Sequence, residues 1–352
     1  RPDQPLSVTE YGAGGATTIH TDDVLGGPPD SRGRAQPEEY ESYIHEKNWA
    51  TLAATPYLWG TWLWNSFDFA TTIRREGDAD DINTKGLVTY DRRIRKDAYY
   101  FYKANWTATP TVHVTGRRYT ERAYRVTDVR VYSNAATTEL VVNGKSQGTL
   151  TDCPGKICLW KAVRLAPGEN LVAASGRFGN TPVEDRVTWN LSPDAAQAFR
   201  IDSGALVAGH AAGKRFGSDA FFEGGVSGTT TRPADYGVAA VKAPIAGTAD
   251  PELAATFRRG DFSYRLPLDN GAYDVTLTFV EPSAGPGERV FDVLANGKRV
   301  LGDLDIASTG RMTAVQKHFP VQVRDGRLEL RFRPSKGEAI VSAIEVSRPN
   351  GR

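Results

Sequence analysis

Beyond about residue 110 the chain consists of short runs in which apolar and polar residues alternate, cut roughly every ten residues by turn formers. The first series covers 111–115, 125–132, 139–142, 159–165, 170–174 and 185–189, with Asn143-Gly144-Lys145 and Pro167-Gly168-Glu169 among the turns. Strands this short and this regularly interrupted predict a β-sandwich of immunoglobulin type. A second series covers 263–268, 273–280, 289–294, 327–332 and 340–346, and predicts another sandwich, jelly-roll-like. Leu191-Ser192-Pro193-Asp194 reads as the linker between them, and no sequence repeat relates the two. The 35 glycines and 20 prolines among 352 residues supply the turns that so many strands need.

Residues 1–109 have a different texture. A short strand at 6–8, ending at Thr9-Glu10, precedes a helix that starts at Gln36-Pro37-Glu38-Glu39 and carries Tyr40, Ile44, Trp49 and Leu52 as its apolar stripe. An aromatic segment at 57–64 reads as a buried strand, and 95–106 as a second helix with Ala98, Phe101, Tyr102 and Asn105 on one side. Strand, helix, strand, helix is the order of an α/β unit with parallel strands.

Lys and Arg total 43 against 42 Asp and Glu, a net charge of +1, which argues against a polybasic nucleic-acid surface. No apolar run approaches the ~20 residues of a membrane span. The chain opens at Arg1 with neither a basic n-region nor an apolar h-region, so a signal peptide is expected to be absent or removed. Cys153 and Cys158 flank Pro154-Gly155-Lys156-Ile157. They are two free thiols or a disulfide; the Pro-Gly turn favours the disulfide, and with it an oxidising compartment. Metal ligation is not expected of them, because no His lies nearby.

Glu10 stands at the end of the first strand, before the turn Gly12-Ala13-Gly14-Gly15. Such a carboxylate suits a nucleophile, a metal ligand or a general base, and a surface Glu opening a loop looks the same. Strand alternation would send Trp62 and Trp64 to one face, where indoles serve either as a sugar platform or as core. Lys85, in the polar stretch Asn83-Thr84-Lys85-Gly86, is either solvated or directed into the same pocket.

Six strings occur in order: Thr9-Glu10-Tyr11-Gly12, His20, Pro37-Glu38-Glu39-Tyr40, Trp64-Asn65-Ser66-Phe67-Asp68-Phe69, Asn83-Thr84-Lys85-Gly86-Leu87-Val88 and Lys96-Asp97-Ala98-Tyr99-Tyr100. Together they resemble the end of the catalytic barrel of glycoside hydrolase family 2, which holds β-galactosidases, β-glucuronidases and β-mannosidases. The resemblance implies that Glu10 is the nucleophile of a retaining mechanism and that Trp64, Asn83 and Lys85 line the sugar subsite, with Asp68 and His20 as neighbours. The family's acid/base glutamate has no counterpart here, since nine residues precede Glu10 and a full barrel takes about 250. The chain is therefore expected to be the C-terminal part of a longer or nicked enzyme, inactive alone.

Residues 110–192 resemble the immunoglobulin-like domain behind that barrel, through Val131-Tyr132-Ser133-Asn134, Glu139-Leu140-Val141-Val142-Asn143-Gly144, Trp160 and Trp189. The region 193–352 resembles a malectin-like domain, through Arg200-Ile201-Asp202-Ser203-Gly204, Phe216-Gly217-Ser218-Asp219, Phe222-Glu223-Gly224-Gly225 and Arg289-Val290-Phe291-Asp292-Val293. Its relatives bind carbohydrate through loop aromatics, for which Tyr236, Phe221 and Phe222 are the candidates; the alternative is a spacer.

The expected architecture is multidomain: the C-terminal portion of a (β/α)8 TIM barrel (1–109), an immunoglobulin-like β-sandwich (110–192) and a malectin-like sandwich (193–352). The resemblance implies a bacterial exo-β-glycosidase, periplasmic or extracellular, most like a β-galactosidase, with no cofactor and no metal. A β-glucuronidase, or a non-catalytic carbohydrate-binding or scaffolding fragment, are the alternatives. Expected partners are a β-galactoside from a plant or host glycan, the N-terminal part of the same enzyme and a homo-oligomeric copy.

Overall fold

The computed structural model describes residues 4–28, 30–211, 213–232, 234 and 238–349. They form two compact units. The first holds 4–21 and 30–192 with Ala234, Val238 and Ala239; the second holds 22–28, 193–232 and 240–349.

The first unit begins with strand β1 (Leu6–Tyr11), helix α1 (Glu38–Ala53), strand β2 (Leu58–Leu63) and helix α2 (Asp97–Trp106). β1 and β2 run parallel, Leu6 opposite Leu58 and Tyr11 opposite Leu63. Pro37 caps α1 in extended conformation, and Glu38, Glu39 and Glu41 fill its first turn, the end at which the helix dipole favours negative charge. β2 differs from the buried strand expected at 57–64. Among the described residues β1 is its one strand neighbour, and Trp59 and Trp62 are exposed. Their rings pack edge to face at 5.2 Å. β2 ends at Leu63, so alternation does not carry through to Trp64, which instead meets Phe69 at 5.8 Å.

Behind the strands, Tyr11, Leu87, Ala98, Phe101, Tyr102 and Tyr132 share one core, with Val8, Trp49, Leu52 and Leu63 against it. Tyr132 belongs to the β region that follows, so residues on both sides of position 110 are packed together. Its hydroxyl donates to Glu46 of α1 at 2.5 Å, and Arg130 pairs with the same carboxylate at 2.6 Å.

His45 of α1 lies in this core with its Nδ1 3.0 Å from the Tyr102 hydroxyl. Burial, reinforced by the nearby Lys96 charge, lowers its pKa to about 3. Below pH 6.5 the unfolded chain therefore takes up a proton that the folded unit refuses. The contribution of His45 to stability is complete above pH 6.5 and falls as the pH drops toward 3, by about 1.4 kcal/mol per pH unit. All seven tryptophans precede residue 193, so urea titrations followed by tryptophan fluorescence report on this unit. His45→Gln should flatten the pH 6.5-to-4.5 slope; an unchanged slope would show that His45 does not set it.

Two sheets make up 112–191. The first has the order Ile157–Arg164, Val126–Ser133, Val112–Val114; the second runs Glu121–Arg122, Thr181–Leu191, Gly168–Phe178, Thr137–Val142, Lys145–Thr151. Asn143 and Gly144, at φ 51° and 76°, turn Thr137–Val142 into Lys145–Thr151, as Asn-Gly does in a two-residue hairpin. Lys145–Thr151 escaped the sequence reading because it is exposed nearly throughout and has no apolar alternation. Trp189 is buried, its indole N–H on the Gly116 carbonyl at 3.1 Å and the Arg122 guanidinium over its ring at 3.6 Å. Cys153 and Cys158 are joined as a disulfide across a single helical turn, Pro154–Lys156.

The second unit has a sheet of order Ala198–Asp202, Ala343–Ser347, Gly271–Phe279, Val315–Val323. A larger one runs Phe222–Thr229, Thr256–Leu266, Leu328–Lys336, Val290–Ala295, Lys298–Leu304, with Ala339–Val341 also on Thr256–Leu266. Phe262, Phe279, Phe291, Phe332, Leu277 and Ile344 are among its fully buried residues. The expected linker is partly a short helix, Pro193–Gln197, whose Asp194 holds Arg200 at 2.5 Å. Residues 22–28 join this unit although they lie far upstream. The Asp22 carboxylate accepts the Ser218 N–H at 3.0 Å, and the Gly26 carbonyl accepts from Arg258 at 3.2 Å.

Candidate active site

Glu10 is exposed at the C-terminal end of β1, and Trp64 directly follows the C-terminal end of the neighbouring parallel strand β2. The Trp64 N–H donates to the Tyr11 carbonyl at 2.8 Å, which locks the two strand ends together. At Gly12 a Cβ would lie 2.1 Å from the Trp64 carbonyl oxygen, so only glycine lets the loop leave here. The Trp64–Asn65 peptide is cis. The Trp64 residue is 38% exposed, and its ring meets Phe69 edge to face.

A third segment joins the first two. Residues 65–68 run alongside 85–88 with bonds from Asn65 N–H to Lys85 O (3.0 Å), Leu87 N–H to Asn65 O (3.0 Å) and Asp68 N–H to Val88 O (2.8 Å). The Gly15 N–H reaches the Thr84 carbonyl at 3.1 Å. Asn83 is buried, its Oδ1 accepting the Lys85 N–H at 3.0 Å. The Lys85 ammonium lies 3.7 Å from Glu76 Oε2, a buried carboxylate that also binds Arg74. The loops bearing Glu10, Trp64, Asn83 and Lys85 thus meet.

Asp68 and His20 stand differently. Asp68 is buried, with Oδ1 on the Gly86 N–H at 2.8 Å and on Lys96 Nζ at 3.1 Å. Burial raises its pKa despite the lysine. It holds protein groups, not an open subsite. His20 is 2.9 Å from Glu39 Oε1 and stacks on Tyr119 at 5.1 Å. Burial pulls its pKa down, but the Glu39 hydrogen bond and charge outweigh that and raise it. Sequence reasoning missed the buried carboxylates Glu41 and Glu76 and the packing role of Lys96. Glu41 in the first turn of a helix and Glu76 in a polar loop both read as solvated, and only burial reveals them otherwise.

In the second unit the Phe222 ring lies under the Arg258 guanidinium at 3.4 Å, and Phe221 packs on buried Phe199 at 5.3 Å. Both are half-buried, each with one ring contact given over to protein. Tyr236 lies outside the described residues. Among the described residues no group of three or more His, Cys, Asp and Glu is arranged to hold a metal ion.

Residues 197–349 match the malectin domain, and 125–183 match a domain of unknown function, DUF4982. Over 194 residues the chain is 40% identical to a β-glucuronidase of Bacteroides fragilis, an alignment covering 55% of this chain and 28% of that protein. This chain is homologous to glycoside hydrolases of the β-glucuronidase and β-galactosidase type. The crystal structure of a candidate β-galactosidase from Bacteroides fragilis aligns with a TM-score of 0.50 at 35% identity, over 54% of this chain and 28% of that one. A β-glucuronidase of Bacteroides uniformis, covalently bound to a cyclophellitol-6-carboxylate aziridine, shares the fold over 98% of this chain and 42% of its own, with a TM-score of 0.53 and 23% identity. The chain spans 28% of the length of its Bacteroides fragilis relative, and its match to the malectin domain falls within the second unit.

Proposed function

We propose that this chain is the C-terminal portion of a retaining exo-β-glycosidase acting on terminal β-D-galactosides, with Glu10 as nucleophile. The observation that carries the reading is the juxtaposition of an exposed glutamate and a half-exposed tryptophan at the C-terminal ends of adjacent parallel strands, the position at which barrel enzymes hold their catalytic groups. In this reading β1, α1, β2 and α2 close a (β/α)8 barrel begun by residues outside this chain. Residues 110–192 form an immunoglobulin-like support, and 193–352 a malectin-like module that binds or spaces carbohydrate. The Glu10 carboxylate attacks the anomeric carbon while an acid/base carboxylate from the rest of the enzyme protonates the leaving oxygen. Water, deprotonated by that same group, then releases the sugar from the glycosyl-enzyme with net retention. The Trp64 face packs against the apolar face of the sugar ring. The disulfide fits a periplasmic or extracellular enzyme.

The sugar turns on Lys85. Its ammonium already faces the Glu76 carboxylate, which supports a neutral galactoside. The second reading, a glucuronide, is supported by the Asn83-Thr84-Lys85 string and by the name of the Bacteroides fragilis relative. In a glucuronidase, Lys85 would pair with the substrate carboxylate, a charge-assisted bond of roughly 1.5–3 kcal/mol. Lys85→Ala would then lower kcat/KM for a glucuronide by about 10- to 150-fold. For a galactosidase we expect the full-length protein to prefer nitrophenyl β-galactoside over the glucuronide, with Lys85→Ala leaving that order unchanged. A clear preference for the glucuronide would overturn galactose. Hydrolysis of neither, by the full-length protein, would leave only the binding and scaffolding role.

A further inference from the structure

Lys96, in the turn before α2, is 1% exposed. Its ammonium donates to the Gly15 carbonyl at 2.6 Å, the Thr84 carbonyl at 2.8 Å and Asp68 Oδ1 at 3.1 Å, which uses all three of its N–H groups. Glu41 Oε1 lies 3.5 Å away. The three acceptors sit on three different segments. Gly15 follows Glu10 on the first loop, Asp68 follows Trp64 on the second, and Thr84 stands between Asn83 and Lys85 on the third. Asp68 extends the hold by accepting the Gly86 N–H on that third segment.

Simple stability does not call for a lysine here. A buried ion pair is weak support for a fold, and an apolar side chain of similar volume often serves as well or better. What an apolar residue cannot do is satisfy two inward-turned carbonyls and a carboxylate from separate loops at once. Without the ammonium the Gly15 carbonyl loses this donor, the Thr84 carbonyl keeps only the Gly15 N–H and Asp68 only the Gly86 N–H, so a buried carboxylate is left without its counter-charge and the segments are drawn open toward water.

We propose that Lys96 is a positioning residue for the glycosidase site, a single buried cation that holds the Glu10, Trp64 and Asn83–Lys85 loops in one mutual register. It touches no sugar. It acts by keeping the nucleophile, the indole platform and the polar subsite loop at fixed separations. The inference rests on the reading of Glu10 as nucleophile only for its effect on rate; the effect on the loops stands without it.

Hydrogen exchange on the 352-residue chain tests the first part. Lys96→Met should speed exchange together in residues 12–16, 65–68 and 84–88, by roughly tenfold or more, and leave Val126–Ser133 unchanged. Loosening of only one of the three segments, or of the whole unit uniformly, would overturn the proposal. Should Lys96→Met not fold, Asp68→Ala decides. It keeps the lysine and both carbonyl bonds but removes the oxygen that the Gly86 N–H and the Lys96 ammonium share, so 65–68 and 84–88 should loosen while 12–16 stays protected; unaltered exchange in 65–68 and 84–88 would sink the idea. The full-length protein tests the second part. There Lys96→Met, assayed well below its melting temperature, should lower kcat on the order of 10²-fold with little change in KM. Loosened loops with an unchanged kcat would refute positioning. Loosened loops in a full-length protein that hydrolyses no glycoside would keep the loop assignment and refute the glycosidase reading instead.

Discussion

Glu10→Gln in the full-length protein is expected to abolish glycoside turnover while leaving the fold intact. Loss of a group that carries the covalent step costs on the order of 10⁴-fold or more in kcat. The change is nearly isosteric, and Glu10 is exposed at the end of β1, so the core behind it has no reason to respond. Tryptophan fluorescence should give the same urea midpoint for both proteins. A 2-deoxy-2-fluoro β-glycoside with an activated leaving group such as dinitrophenolate should label the full-length enzyme on the peptide that contains Glu10, because the fluorine slows both oxocarbenium-like steps while the leaving group keeps formation of the glycosyl-enzyme faster than its breakdown. A label on any other peptide would remove Glu10 from the mechanism, and with it the significance given to the strand ends. The 352-residue chain alone should hydrolyse no aryl glycoside, since the reading draws its acid/base group from elsewhere in the enzyme.

Arg258→Met should be the most damaging single change in the second unit. Arg258 and Asp219 are both buried, paired at 2.8 Å, and Asp219 also accepts from the Gly204 N–H at 2.7 Å and the Tyr264 hydroxyl at 2.8 Å. Burial pushes the Asp219 carboxyl up to about 6 even with the arginine beside it. Removing the arginine leaves a buried carboxylate uncompensated, at a cost of about 3–5 kcal/mol near pH 7. The sign of the pH effect follows from the raised pKa. Without its partner the folded carboxyl is pushed higher still, so the variant takes up the proton before the paired protein does, and the deficit shrinks as the pH falls from above 7 to about 6, below which both folded proteins hold it. Calorimetry at pH 7 and pH 5 should read that difference. Adding Asp219→Leu should recover much of the loss; if the double variant is as unstable as the single one, the charge is not the cause.

Much of the secondary structure was legible because its causes are local. Pro37 followed by acids marks the start of α1, and Asn143-Gly144 marks a hairpin turn by its tolerance of positive φ. Alternation marked Val126–Ser133 and Gly271–Phe279, each of which buries one face. Where that cause was missing the reading failed. Lys145–Thr151 is exposed along most of its length, and Phe222–Thr229 is rich in glycine and half-exposed, so neither carries a periodic signal.

The end of a strand, also a local feature, drew attention to Glu10, while it was the resemblance to glycoside hydrolase family 2 that implied a sugar subsite at Trp64, Asn83 and Lys85. The sequence by itself determined this much: a β-rich chain, a parallel strand–helix–strand start, and a carboxylate and an indole at strand ends. Which charges meet was decided only by the tertiary structure. It turned Asp68 toward Lys96 and Gly86, stacked His20 on Tyr119, drew Trp62 to Trp59 and gave residues 22–28 to the second unit. Apart from Trp59 and Trp62, those pairings join residues well separated in the chain, by 18 positions for Asp68 and Gly86 and by 196 for Asp22 and Ser218. They depend on which groups burial strips of water and must be satisfied by whatever partner the fold brings near. No periodicity encodes such a choice, because it is made by desolvation after the elements have packed.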